Sequence, residues 1–150
     1  MKAGADADRE DPYDLNRFLA AQEGVYDVAL KELRSARKRS HWMWFVFPQI
    51  LGLGSSATTI RYSIKCREEA LQYLKHPVLG MWLQECADAI LAIKERSAFE
   101  VLGSPDDIKL KSSMTLFASV AEPGSVFNRV LDQYFGGVQD SRTFQLLGGN

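Results

Sequence analysis

Four short stretches of the 150-residue sequence hold side chains that could do chemistry. The first is His41-Trp-Met-Trp-Phe-Val-Phe47, followed by Pro48 and Gln49. Wound as a helix, it puts His41, Trp44, Phe45 and Pro48 on one face and Trp42, Phe45 and Gln49 on the next. Trp42 or Trp44 could stack on a flat ring such as a nucleobase. His41 titrates near neutral pH, where a general acid or base works, and is the candidate catalytic residue. The plainer reading is a central helix, apolar on every side, with His41 hydrogen-bonded to backbone in the core. Gln49 fits that reading less well, because a buried amide needs partners.

The second stretch is Gly52-Leu-Gly54-Ser55-Ser56, with Arg61 and Lys65 just downstream. Glycines let successive backbone N–H groups point into one concavity, and a helix start favours anions, so Gly52, Gly54, Ser55 and Arg61 could hold a phosphate. The spacing matches neither the P-loop nor the dinucleotide fingerprint, and a plain turn with a serine cap explains it as well. The third is the row Ser112, Thr115 and Ser119 beside Lys111, which reads first as a solvated helix face opposite Leu110, Met114 and Phe117 and second as a polar binding row. The fourth is Lys31 to Arg39, five cations and one acid, which reads as a solvated helix end before a nucleic-acid contact. No acid pair, triad or metal-ligand spacing stands out, so neither a metal nor a cofactor is expected.

These groups need a frame, and the periodicity supplies a helical one. Asp11-Pro12 has the form of a helix start. Tyr26, Ala29, Leu30 and Leu33 mark one face of a helix over about 25–37. Leu79, Trp82, Leu83, Cys86, Ile90 and Ile93 make a longer inner stripe. Ser104-Pro105-Asp106-Asp107 opens a helix through Phe117, and Phe127, Val130, Leu131 and Tyr134 mark another, closed by Gly136-Gly137. Asp140 or Ser141 caps a last short helix. His76, before Pro77, is expected to cap the helix that precedes it. No segment alternates with period two. The expectation is an all-α, compact single-domain bundle of about seven or eight short-to-medium helices over residues 11–150, behind a disordered tail at 1–10.

Composition narrows the classes of function. Hydrophobic residues at 46% and charged residues at 25% are globular values. Eighteen Lys and Arg against 19 Asp and Glu leave a net charge of -1, which removes the electropositive footprint of a nucleic-acid binder. Cys66 and Cys86 form no CxxC, and the longest apolar run, Trp42 to Pro48, is far below the ~20 residues of a membrane span. A cytoplasmic protein without a membrane segment is the expectation.

Several strings together resemble a known bacterial family. Asp14-Leu-Asn-Arg-Phe18, Ser40-His-Trp-Met-Trp-Phe-Val-Phe-Pro-Gln49, Gly52-Leu-Gly-Ser55, His76-Pro-Val-Leu-Gly80, Lys109-Leu-Lys-Ser-Ser-Met-Thr-Leu-Phe117, Tyr134-Phe-Gly-Gly137 and Asp140 are similar to domain-of-unknown-function family eighteen-ten. Members of that family often carry the label calpastatin, an inhibitor built of disordered repeats that this globular composition does not match. The resemblance implies a compact, mainly helical monomer and supplies no catalytic residues.

Two functions follow from these residues. One is a pocket for a nucleotide or another phosphorylated small molecule, with hydrolysis or group transfer as its chemistry. There His41 acts on protons, Trp42 or Trp44 stacks, and Gln49, Gly52, Gly54, Ser55, Arg61, Lys111 and Ser112 bind. The other is a noncatalytic protein-interaction module, which requires an exposed apolar patch.

Overall fold

The computed structural model describes residues 11–148, and the expected tail at 1–10 lies outside them. Ten helices occur among the described residues: α1 Asn16–Gln22, α2 Tyr26–Arg34, α3 Met43–Val46, α4 Ala57–Arg61, α5 Arg67–Lys75, α6 Leu79–Ala92, α7 Ala98–Leu102, α8 Asp106–Ala118, α9 Val126–Phe135 and α10 Ser141–Leu146. The excess over the expected number lies in the one-turn pieces α3, α4 and α7, too short to show a periodicity. The chain is all-α, as its sequence implies. Among the described residues the single strand-like contact is a parallel bridge between Ile50 and Ile64.

Two helices occupy the middle. α6 packs against α2, α3, α5 and α9, and α8 against α5, α7, α9 and α10. The aromatic chain Phe18, Tyr73, Phe117 and Phe127 ties α1, α5, α8 and α9 together, with centroid separations of 5.1, 5.4 and 5.9 Å. These are the spacings at which edge-on and tilted rings attract. Cys86 lies on the buried stripe of α6, and burial pushes its thiol up to about 12, so it packs as a small hydrophobe.

Two local expectations are corrected and a third is extended. Ser112, Thr115 and the intervening Ser113 are buried, not solvated, because α5, α7, α9 and α10 pack against this part of α8, while Ser119 just beyond its end is exposed as expected. Ser112 and Thr115 satisfy their hydroxyls by donating to the carbonyls of Ile108 and Lys111, four residues back. His76 ends the preceding helix α5 as expected, its N–H donating to the carbonyls of Gln72 and Tyr73, and its ring also caps the next one: Nδ1 accepts from the backbone N–H groups of Val78 and Leu79 at 3.1 and 3.2 Å, at the start of α6. Helix α1 begins later than the Asp11-Pro12 signal, yet the Asp11 carboxylate still caps it by accepting from the N–H groups of Leu15 and Asn16. Gly80, in the same turn as His76, is required by space: a Cβ there would stand 2.1 Å from the Leu74 carbonyl oxygen.

Glu32 fixes the entry to the aromatic string. Its carboxylate accepts from the N–H groups of Arg39 and Ser40, from the Ser40 hydroxyl at 2.6 Å and from the Trp42 indole at 2.9 Å. Burial alone would raise this carboxyl; the four donors outweigh it and hold it down to about 2. The unfolded chain therefore takes up the proton first as pH falls. The stabilisation is complete above the unfolded value of 4.5 and is lost as pH drops toward 2. Melting curves between these limits should show wild type losing more stability than Glu32→Gln, which has no carboxyl to protonate. Parallel curves would mean that Glu32 carries no acid sensitivity.

Candidate functional site

The sequence candidates do not all meet. Trp42 is fully buried, its indole N–H committed to Glu32 and its ring covered by the Lys38 ammonium 5.2 Å from the centroid, so it has no free face for a ligand. His41 is exposed at the surface end of the string, not a core residue hydrogen-bonded to backbone. The string itself forms only the single turn α3, because Pro48 forbids helix at Phe47. Arg61 is exposed beside Tyr62, its guanidinium carbon 5.5 Å from that ring's centroid. Gly52 and Ser55 are exposed on the loop after the string, and Lys111 turns toward the Phe135 ring, 5.9 Å away.

Gln49, Gly54 and Ser112, in contrast, line one cleft of about 240 Å³. Its apolar wall is Ile50, Leu53, Ile108 and Pro105, and its remaining polar groups come from Thr59, Lys109 and Asp140. One side is the loop from Gln49 to Thr59. The other is a face of α8, where Ile108, Lys109 and Ser112 follow helical spacing from Pro105. Asp140 closes the end.

Each side is held by identifiable bonds. Leu51 donates its N–H to the Ile64 carbonyl and Ile64 donates to the Gln49 carbonyl, both at 2.8 Å, which pins the start of the loop. Ser56 caps α4 and accepts from the Thr59 N–H. Gly54 lies so close to Thr59 that a Cβ would approach its methyl to 2.6 Å. The N–H of Asp140 donates to the buried Thr115 hydroxyl at 2.9 Å, and its carboxylate caps α10 by accepting from the Thr143 N–H and hydroxyl. Lys109 is the cation of the cleft. Its Nζ lies 5.0 Å from the centroid of Trp44 and 3.7 Å from Asp106, which also pairs with Lys38 at 2.8 Å. Trp44 thus reaches the cleft through Lys109, as a support for a cation.

Behind the loop stands a buried ion pair that periodicity does not reveal. The Arg17 guanidinium donates from Nε to the Arg61 carbonyl at 2.7 Å and from Nη1 to the carbonyls of Tyr13 and Asp14. Its Nη2 donates to the Ser63 carbonyl and to Glu69 Oε2 at 2.7 Å. Glu69 Oε1 accepts the Lys65 N–H. Arg17 so fixes residues 61–64, which in turn fix Gln49 and Leu51. The one sequence signal was a charged residue inside the Asp14–Phe18 string.

A broader groove of about 580 Å³ runs past Arg34, Glu85, Asp88, Lys94 and Arg96. Of the sequence candidates only Arg34 of the Lys31–Arg39 run lines it, and it mixes charges of both signs. Among the described residues no group of three or more His, Cys, Asp or Glu side chains is placed to hold a metal, and no helix is long and apolar enough to cross a membrane.

Two central helices, a shell of short ones and one small cleft of mixed lining define an all-α single-domain protein. The chain belongs to the family described as protein of unknown function (DUF1810), which it matches over residues 12–147. It is similar to the crystal structure of the conserved hypothetical protein Rv1873 from Mycobacterium tuberculosis, at 51% identity and a TM-score of 0.90, over 91% of this chain and 98% of that one. No curated protein matches the chain.

Proposed function

We propose that the protein is a binding domain whose cleft holds a compact anionic group, with Lys109 as its anchor. The supporting observation is the convergence of Gln49 and Gly54, from one loop, with Ser112 and Lys109, from α8 far along the chain, on one cleft. A phosphate or carboxylate accepts from Lys109, Gln49 donates to a further oxygen, and Ile50, Leu53 and Ile108 take the apolar part. The volume, about 240 Å³, is under the roughly 300–1,000 Å³ of sites for drug-sized ligands, so the phosphorylated group enters without a whole nucleotide around it. Binding is favoured over hydrolysis or group transfer because His41 is not in the cleft lining and the Asp140 carboxylate is committed to its cap. In this reading the protein works as a cytoplasmic monomer.

Thermal shift with inorganic phosphate, acetate, glycerol phosphate and a nucleoside monophosphate tests it. A ligand at 100 times its dissociation constant should stabilise the fold by about 2.7 kcal/mol. The shift should disappear in Lys109→Ala, whose own stability should change by only about 0.5 kcal/mol, and should persist in His41→Ala. A shift that survives Lys109→Ala, or none with any of these compounds, removes the reading.

A further inference from the structure

We infer that Lys38, which lies outside the cleft lining, sets the anion affinity of the cleft by holding the Asp106 carboxylate away from Lys109. The inference rests on Lys109 as the anchor of an anionic group and names the residue that keeps that anchor available.

A cation beside a carboxylate of its own chain is a poor anchor, because a bound anion must compete with that carboxylate. Lys109 faces this competition from Asp106, one turn back on α8, the spacing at which opposite charges on a helix meet. Among the described residues Asp106 is the one carboxylate paired with Lys109. The other two acids near the cleft are engaged elsewhere: Asp107 accepts from the Ile108 N–H at 2.8 Å, and Asp140 caps α10. The Asp106 contact runs from Oδ1 to Lys109 Nζ at 3.7 Å, longer than a hydrogen bond. The other oxygen, Oδ2, is bound by Lys38 Nζ at 2.8 Å.

Lys38 is placed to keep that oxygen. Of the five cations at 31–39, expected on a solvated helix end, Lys38 alone is not exposed. Its side chain is 8% exposed, and its backbone N–H donates to the Val101 carbonyl at 2.8 Å, at the end of α7. So little exposure leaves the ammonium few water partners, and the short charge-assisted bond to Asp106 is the stronger of the two pairs. Lys109 is held more loosely. The Trp44 ring, 5.0 Å away, steadies it without adding a carboxylate. Without Lys38 both Asp106 oxygens would have one paired cation left, Lys109, and the pair would close over the anchor.

Titrations of the full chain with inorganic phosphate at constant ionic strength, followed by the NMR signals of Lys109 and Gln49, test this. Lys38→Met should weaken phosphate binding by about threefold or more and Asp106→Asn should tighten it by about as much, the range of a partly screened ion pair. Lys38→Arg, which keeps the cation, should recover most of the loss. In the Asp106→Asn background Lys38→Met should change little further, which separates an effect passed through Asp106 from a general loss of positive charge. Equal weakening by Lys38→Met with and without the Asp106 carboxylate overturns the inference, as does unchanged affinity in Asp106→Asn. The second result needs only a substitution at a partly buried helix start, so it decides the matter if Lys38→Met does not fold. Phosphate that binds wild type, is lost in Lys109→Ala and responds to neither Lys38 nor Asp106 leaves the anion-binding cleft standing and removes only the role of Lys38. No phosphate response in wild type or in Asp106→Asn removes the two together.

Discussion

Arg17→Ala should destabilise the protein by on the order of 3–5 kcal/mol, the cost of leaving a buried charge without its partner. Glu69 is fully buried and Arg17 is 5% exposed, so neither charge can turn to water when the other is removed. The substitution also strips a donor from each of four backbone carbonyls, those of Tyr13, Asp14, Arg61 and Ser63. Against a total stability of about 5–15 kcal/mol, little folded protein should remain at physiological temperature. Arg17→Lys should rescue little, because an ammonium cannot reproduce a planar fork that serves several acceptors at once. Replacing both partners by apolar residues, Arg17→Met with Glu69→Leu, should recover part of the loss by removing the orphaned carboxylate. Urea unfolding of the four chains gives the comparison. A loss below about 1 kcal/mol for Arg17→Ala would place the pair among surface-like ion pairs and contradict its role as the support of residues 61–64.

Trp42→Ala carries the second large effect, about 3–5 kcal/mol, as expected for truncating a large side chain with no exposed surface. Trp42→Phe should cost less, about 1.5–3 kcal/mol, since it keeps most of the apolar volume and loses the indole bond to the charged Glu32. Neither change should alter binding at the cleft beyond what the lower stability brings. A ligand whose affinity dropped in a still-folded Trp42→Phe protein would return Trp42 to the binding site and displace its assignment to the core.

The parts of the fold that were legible are those written in periodic apolar residues. The stripes of α6 and α9, the glycine stop at Gly136 with φ 62°, and the Asp140 cap all follow from spacing and turn chemistry. Helix α8 misled because Ser112, Ser113 and Thr115 look like a wet face; nothing in the spacing says that four helices surround them. The aromatic string misled in the opposite sense, being a single turn with His41 exposed. Part of the cleft could be named from the sequence, since Gln49, Gly54 and Ser112 were singled out for their chemistry. Lys109 stood only inside a string that carried the resemblance and Asp140 was read only as a helix cap, and their meeting depends on packing between α8 and a loop far back in the chain. Arg17 and Glu69 lie 52 positions apart, and no local pattern records a pair of that span.

The backbone around His76 fixes where its proton sits. Two backbone N–H groups aim at its Nδ1, and an atom that accepts two hydrogens cannot hold one of its own. The ring is therefore the Nε2–H tautomer, uncharged while α6 is wound. Its affinity for a second proton is lowered by burial, with Asp11 nearby pulling the other way. In nitrogen spectra of the imidazoles, His76 should keep the pattern of a single neutral tautomer below the pH at which a free histidine charges. Acid strong enough to protonate Nδ1 would turn the acceptor at the first turn of α6 into a third donor and open the helix at that end.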